Sequence, residues 1–150
     1  MQARSPVATA AAAALVAAIV GGVVWGLIVK STDYEVGIVA WAIGWLAGTA
    51  VVFAAGGSRG LPFQVVAVTA ALLGILLGKY LSFVWVLEDS LAEVGLAVDV
   101  PIFSADTVDA FTEELGTVFG WFDLLWVGLA VYTAFRIPQP QSQGPAPADA

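Results

Sequence analysis

Four long stretches of the chain are almost free of charge: Val7 to Val29, Val36 to Ser58, Leu61 to Leu87 and Leu115 to Ile137. Each reaches the roughly 20 residues that an α-helix needs to cross about 30 Å of hydrocarbon. The pattern predicts an all-α fold: an integral membrane four-transmembrane-helix bundle with a short amphipathic helical segment between helices 3 and 4. One domain is expected over residues 1–137, with an acidic extracytoplasmic segment at 88–114 and a disordered cytoplasmic tail at 138–150.

Composition agrees with this class. Hydrophobic residues make up 60% of the chain and charged residues only 11%, where a soluble domain carries about 25%. The chain has neither Cys nor His, which removes disulfides, thiol chemistry and the usual zinc and haem ligand sets. No cofactor and no metal are expected. The net charge of -7 argues against nucleic-acid binding, which needs basic groups to neutralise phosphates. The start, MQARSPVATAAAAALVAAIVGG, resembles a secretory signal in having Arg4 ahead of an apolar run. That run continues through Trp25 to Val29, too long for a signal core, and reads as a retained first helix.

Arg4, Arg59 and Arg136 flank the apolar stretches on one side, and Lys30 alone flanks the other. The positive-inside rule then places both termini and the Gly56 to Gly60 turn in the cytoplasm, at the cytoplasmic (inner) membrane. GGSRG followed by Pro62 predicts a tight turn between the second and third helices and an antiparallel hairpin. The outward segment holds Glu88, Asp89, Glu93, Asp99, Asp106, Asp109, Glu113 and Glu114 with no basic residue. Its apolar residues recur at helical spacing, predicting two short amphipathic helices broken at Pro101, with Ser104 capping the second. These carboxylates read either as a divalent-cation site or cation-concentrating funnel or, since no calcium-loop spacing such as DxDxDG occurs, as a solvated polar face.

Lipid supplies no hydrophobic push between helices, so small residues that admit close backbone approach are the expected contact points. Every stretch has a GxxxG: Gly22 and Gly26, Gly44 and Gly48, Gly74 and Gly78, Gly116 and Gly120. Longer stripes on the third helix (Gln64, Ala67, Ala71, Gly74, Gly78, Ser82) and the fourth (Gly116, Gly120, Asp123, Val127, Ala130, Ala134) predict inward faces. Phe119, Phe122, Trp126 and Leu129 would then face lipid or a partner. Trp25, Trp85 and Trp121 are expected as headgroup-level anchors, and Trp41 and Trp45 as packing against the glycine stripes.

Lys79 and Asp123 are charges inside apolar stretches, each placed about eight residues from an outer helix end. Alone at the centre, either costs about 2.5 to 3.5 kcal/mol on insertion scales; pairing lowers this. Glu35, at the outer start of the second helix, is the natural third member. The cluster reads either as a structural ion pair or as the lining of an outer vestibule for a proton, ion or small polar ligand. No GxSxG elbow or paired-carboxylate motif points to an enzyme.

The segments TDYEVGIVAWAIGWLAGTAV, LLGKY and FDLLWVGLAVYTAFRI resemble a group of small bacterial multi-pass inner-membrane proteins of uncharacterised function. In that group a YE-x-G opening precedes a glycine-rich helix, and the last helix carries an aspartate before an apolar run ending in a basic residue. The likeness covers the second to fourth stretches and draws attention to Tyr34, Glu35, Gly37, Gly44 and Gly48. Some members carry a Cys-rich zinc ribbon; this chain has no Cys. The resemblance implies a four-span bacterial inner-membrane protein and brings no ligand with it.

The function expected is that of a non-enzymatic helper, assembly or envelope-associated protein acting through helix contacts. Its partners would be membrane lipid and either a second copy or another membrane protein. The alternative is a small, dimeric transporter or channel using Lys79, Asp123 and Glu35. A transporter needs a hydrated route across the midplane, and the inner half offers only Thr49, Gln64 and Thr69 as polar lining.

Overall fold

The computed structural model describes residues 5–96 and 98–141. It is all-α, with six helices and no strand among the described residues: α1 (Pro6–Thr32), α2 (Ile38–Ala54), α3 (Leu61–Glu93), α4 (Ala105–Glu113), α5 (Leu115–Val118) and α6 (Trp121–Arg136). α3 packs against α1, α2, α4 and α6, and α2 packs against α1, α3 and α6. α1 and α3 are long and apolar enough to cross a membrane by length and composition. α2 and α6 are shorter than the stretches that predicted them, about 25 and about 24 Å at ~1.5 Å per residue.

Local chemistry sets the helix ends. The Ser5 hydroxyl accepts from Ala8 N at the start of α1, and Pro6 follows at the first helical position. α2 ends in a Schellman motif: Gly56 N–H donates to Phe53 O and Gly57 N–H to Val52 O, with Gly56 at φ 62°. The same device ends α3, where Gly95 (φ 83°) donates to Ala92 O and Leu96 to Leu91 O. No breaker stands between Leu87 and Gly95, so α3 runs on through Glu88, Asp89 and Glu93. The first of the two amphipathic helices predicted in 88–114 is therefore the end of α3. The second is α4, and Ser104 caps it by accepting from Thr107 N.

The predicted fourth stretch is divided. Phe119 and Gly120 are extended between α5 and α6, so Gly116 and Gly120 do not form a packing stripe with the helix that follows. A methyl group at Gly116 would meet open space, and one at Gly120 would approach only Asp123 of its own helix start. The other six motif glycines sit at close contacts. A methyl group at Gly74 would lie 2.9 Å from Ala18 O, and one at Gly22 2.7 Å from Gly74 O. Gly44 lies directly against the Ala130 backbone. Gly26 faces Leu81 and Trp85, Gly48 faces Ile137 and Ala134, and Gly78 faces Trp25.

Packing differs along the helices. Toward the Gly56 turn the core is built from Ala10, Ala14, Ala18, Ala47, Ala67, Ala71 and Ala134 around Val51 and Phe63. Toward the acidic end it is filled by Trp25, Val29, Ile43 and Ile75, with Phe119, Trp126 and Val127 packed against them. Alanines predominate in the core at the turn end; at the acidic end large side chains pack beside Ala40 and Ala130.

At the turn end, α6 is fastened to α3 by polar contacts. Gln64 Nε2 donates to Phe135 O at 3.0 Å, Gly60 N–H donates to Pro138 O at 2.9 Å, and the Arg59 guanidinium donates to Ile137 O. These carbonyls lack intrahelical donors, so side chains and turn amides complete them. Pro138 is consequently buried, although it begins the segment expected to be disordered. Residues 142–150 of that segment lie outside the described residues.

Candidate functional site

At the acidic end a lysine ammonium is buried among three oxygens. Lys79 lies on α3 one residue after Gly78 and is 1% exposed. Its Nζ lies 2.7 Å from Glu35 Oε1 and 2.8 Å from Asp123 Oδ2, and it donates to Val118 O at 3.0 Å. An ammonium has three N–H donors and no acceptor; two of them donate to Asp123 and Val118 O, and Glu35 completes the shell as an ion pair. The Trp25 ring centroid lies 5.7 Å from Nζ and that of Phe119 5.3 Å, in cation–π range.

Each partner reaches the ammonium for a local reason. Glu35 stands in the link between α1 and α2, after Asp33 turns the chain with φ 53° and donates to Val29 O. Asp123 lies in the first turn of α6 and accepts from Gly120 N at 2.9 Å, where the helix dipole favours negative charge. Val118 is the last residue of α5, and its carbonyl is freed where the extended Phe119 interrupts the helix. Lys79 thus binds both sides of the break between α5 and α6.

The structure brings together the three polar residues singled out from sequence and shifts their positions. Asp123 is at the start of a helix, not eight residues inside one, because Gly120 is extended. Lys79 is fourteen residues before the end of α3, because that helix continues to Glu93. The third acceptor, Val118 O, carries no sequence signal, since any residue supplies a backbone carbonyl.

The aromatic expectations are partly corrected. Trp25, expected as a headgroup anchor, is 1% exposed and sits beside Gly78 in the core. Phe119 and Trp126, expected to face outward, pack inward, and Trp126 lies against Gly37. Gly37 has no side chain to keep the indole away. The Nε1 atoms of Trp25 and Trp126 are buried without a hydrogen-bond partner. Trp121 and Phe122 are exposed, Trp45 is half exposed, and Trp41 donates to Thr133 Oγ1 at 3.0 Å. Lys30 lies 5.1 Å from the ring centroid of Trp85.

Beside the cluster is a cleft of about 410 Å³, lined by Asp33, Glu35, Lys79 and Glu114 with Val29 and Phe83 as apolar wall. Its carboxylates outnumber its one ammonium, which is already enclosed by Glu35, Asp123 and Val118 O. An anion would gain a Lys79 contact only by displacing a carboxylate or the Val118 carbonyl. Among the described residues no group of three acidic side chains is placed to hold a metal ion. What the arrangement does chemically is fix the α1–α2 link, α3, α5 and α6 to one charged point. No protein-family model, curated protein or solved structure matches the chain.

Proposed function

We propose that the chain is a four-span integral membrane protein of the inner membrane, with both termini and the Arg59 turn cytoplasmic. It acts without catalysis, as a membrane-embedded helper whose helix faces and acidic cap engage a second copy or another membrane protein. α1, α2 and α3 supply three spans. α5, the extended link and α6 supply the fourth, and local thinning of the bilayer offsets the short helices. Large apolar side chains exposed along α1 (Val16, Val20, Leu27), on α3 (Leu72, Leu76) and on α6 (Phe122, Leu125) support lipid contact.

The observation that carries the helper reading over transport is the enclosure of Lys79. An ammonium that donates to Asp123 and Val118 O and is paired with Glu35 while buried works as a fastening. The polar lining also thins toward the turn end. Thr49 and Thr69 lie on exposed faces, and the buried Gln64 spends its amide N–H on Phe135 O.

Because the chain has no native cysteine, the reading is tested by single cysteines at Ser82, Ala71 and Gln64, probed with a membrane-impermeant thiol reagent in intact cells. Labelling that stops at Ser82 is the expected result. Labelling at all three depths replaces the helper by a transporter or channel with Lys79, Asp123 and Glu35 along its path.

A further inference from the structure

A second cleft of about 410 Å³ lies between α3 and α4 and has a different character. Leu73, Leu76 and Leu77 of α3 form one wall; Val108 and Phe111 of α4 and Leu115 of α5 form the other. Tyr80 and Thr112 also line it, but their hydroxyls donate to Ile102 O and Asp109 O, so the surface turned to the cleft is apolar. α4 is held over this space by Phe111, whose ring meets Tyr80 edge-on at 5.1 Å and Phe83 at 5.6 Å, and by the Tyr80 hydroxyl donating to Ile102 O. The cleft is therefore a built feature of the α3–α4 contact.

Sites for water-soluble molecules combine apolar walls with a few placed polar groups that fix orientation. A cleft with none suits a ligand whose buried part has no polar atoms. Leu72, Leu73 and Leu76 are about half exposed on the same side of α3, so the opening continues onto the surface that meets hydrocarbon if α3 spans a membrane. The exposed face of α4 beside it is acidic: Asp109 and Glu113, one turn apart, follow the lining residues Val108 and Thr112, and residues 88–114 contain no Lys or Arg. An anionic headgroup is repelled there, and one bearing an ammonium is attracted.

We infer that this cleft holds one acyl chain of a zwitterionic aminophospholipid, with its ammonium toward Asp109 and Glu113 on the exposed face of α4. This rests on the membrane-spanning reading above, which is checked separately: release of the chain from membranes by alkaline carbonate would show that reading to be wrong before any lipid is measured.

The lipid inference is tested on the full chain in mild detergent by native mass spectrometry, offering phosphatidylethanolamine or phosphatidylglycerol with identical acyl chains. Retention of phosphatidylethanolamine severalfold above phosphatidylglycerol is expected. Leu76→Trp and Val108→Trp, which fill the cleft from opposite walls, should lose that adduct severalfold, and Leu72→Trp, outside it, should keep it. The exposed double change D109N/E113Q leaves the apolar packing alone and should abolish the headgroup preference. Equal retention of the two lipids by the unaltered chain, or an undiminished adduct in folded cleft-filled variants, overturns the inference.

Discussion

The Lys79 ammonium on α3 and the Asp123 carboxylate at the start of α6 lie 2.8 Å apart, and the same carboxylate oxygen accepts the Gly120 N–H. One atom thus caps a helix and neutralises a buried charge on its neighbour. The geometry makes the ion pair and the helix start mutually dependent: if α6 frays at Gly120, Lys79 loses both Asp123 and the ordered Val118 carbonyl.

Removing Asp123 should therefore be costly. Asp123→Ala leaves a buried ammonium with one carboxylate fewer and uncaps α6, and a loss of about 3–5 kcal/mol is expected. Lys79→Met/Asp123→Ala, compared with Lys79→Met and Asp123→Ala alone, should recover part of it, since no buried ammonium remains. Unfolding in detergent, run as a double-mutant cycle, measures the coupling; additive single and double effects would show that the two groups do not act as a pair.

Glu35 should matter less and respond to salt. Its side chain is 40% exposed against 17% for Asp123, so water and ions screen it more effectively. Glu35→Gln should cost about 1 kcal/mol or less, with the cost falling as salt is raised. A Glu35→Gln loss equal to that of Asp123→Ala at high salt would contradict this order.

The glycines should divide by environment and not by motif. Gly44→Ala pushes a methyl group into the Ala130 backbone and Gly74→Ala pushes one against Ala18 O, each costing about 1–3 kcal/mol through overpacking. Gly128 lies inside α6 with open space around it, so Gly128→Ala should stabilise by roughly 0.5–1 kcal/mol through helix propensity. Thermal melting in one detergent compares them directly, and a destabilised Gly128→Ala would place a partner on that face of α6.

At the opposite end, Gln64→Leu leaves Phe135 O without the amide that completes it. Losing this half-buried hydrogen bond costs about 1 kcal/mol, and the effect should be local. Hydrogen exchange should accelerate in the last turn of α6 and at Gly60, whose N–H holds Pro138 O, while amides around Lys79 keep their protection.

Of the helix ends that short-range devices set, the Gly56 turn after α2 and the Ser104 cap of α4 were expected from the sequence; Ser5 with Pro6 at the start of α1 and Gly95 at the end of α3 were not. Nor was the break at Phe119 and Gly120. Leu115 to Ile137 is one continuous apolar run, and the interruption is stabilised by Lys79, a residue on another helix. The inward aromatic residues were hidden for a related reason: Trp25 fits against Gly78, and Trp126 against Gly37, through contacts distant in sequence.

The sequence by itself determined that the chain is helical and apolar, and that Glu35, Lys79 and Asp123 are its expensive polar residues, because length, composition and caps act within a few residues. Tertiary structure decided which face of each helix is buried, which glycines touch backbone, and that a carbonyl at Val118 completes the lysine's shell. Where nearly every side chain is apolar, hydrophobicity does not distinguish the core face from the outer one. The rotation and axial offset of the helices are then fixed by shape at Gly44 and Gly74 and by the few charges that must find each other.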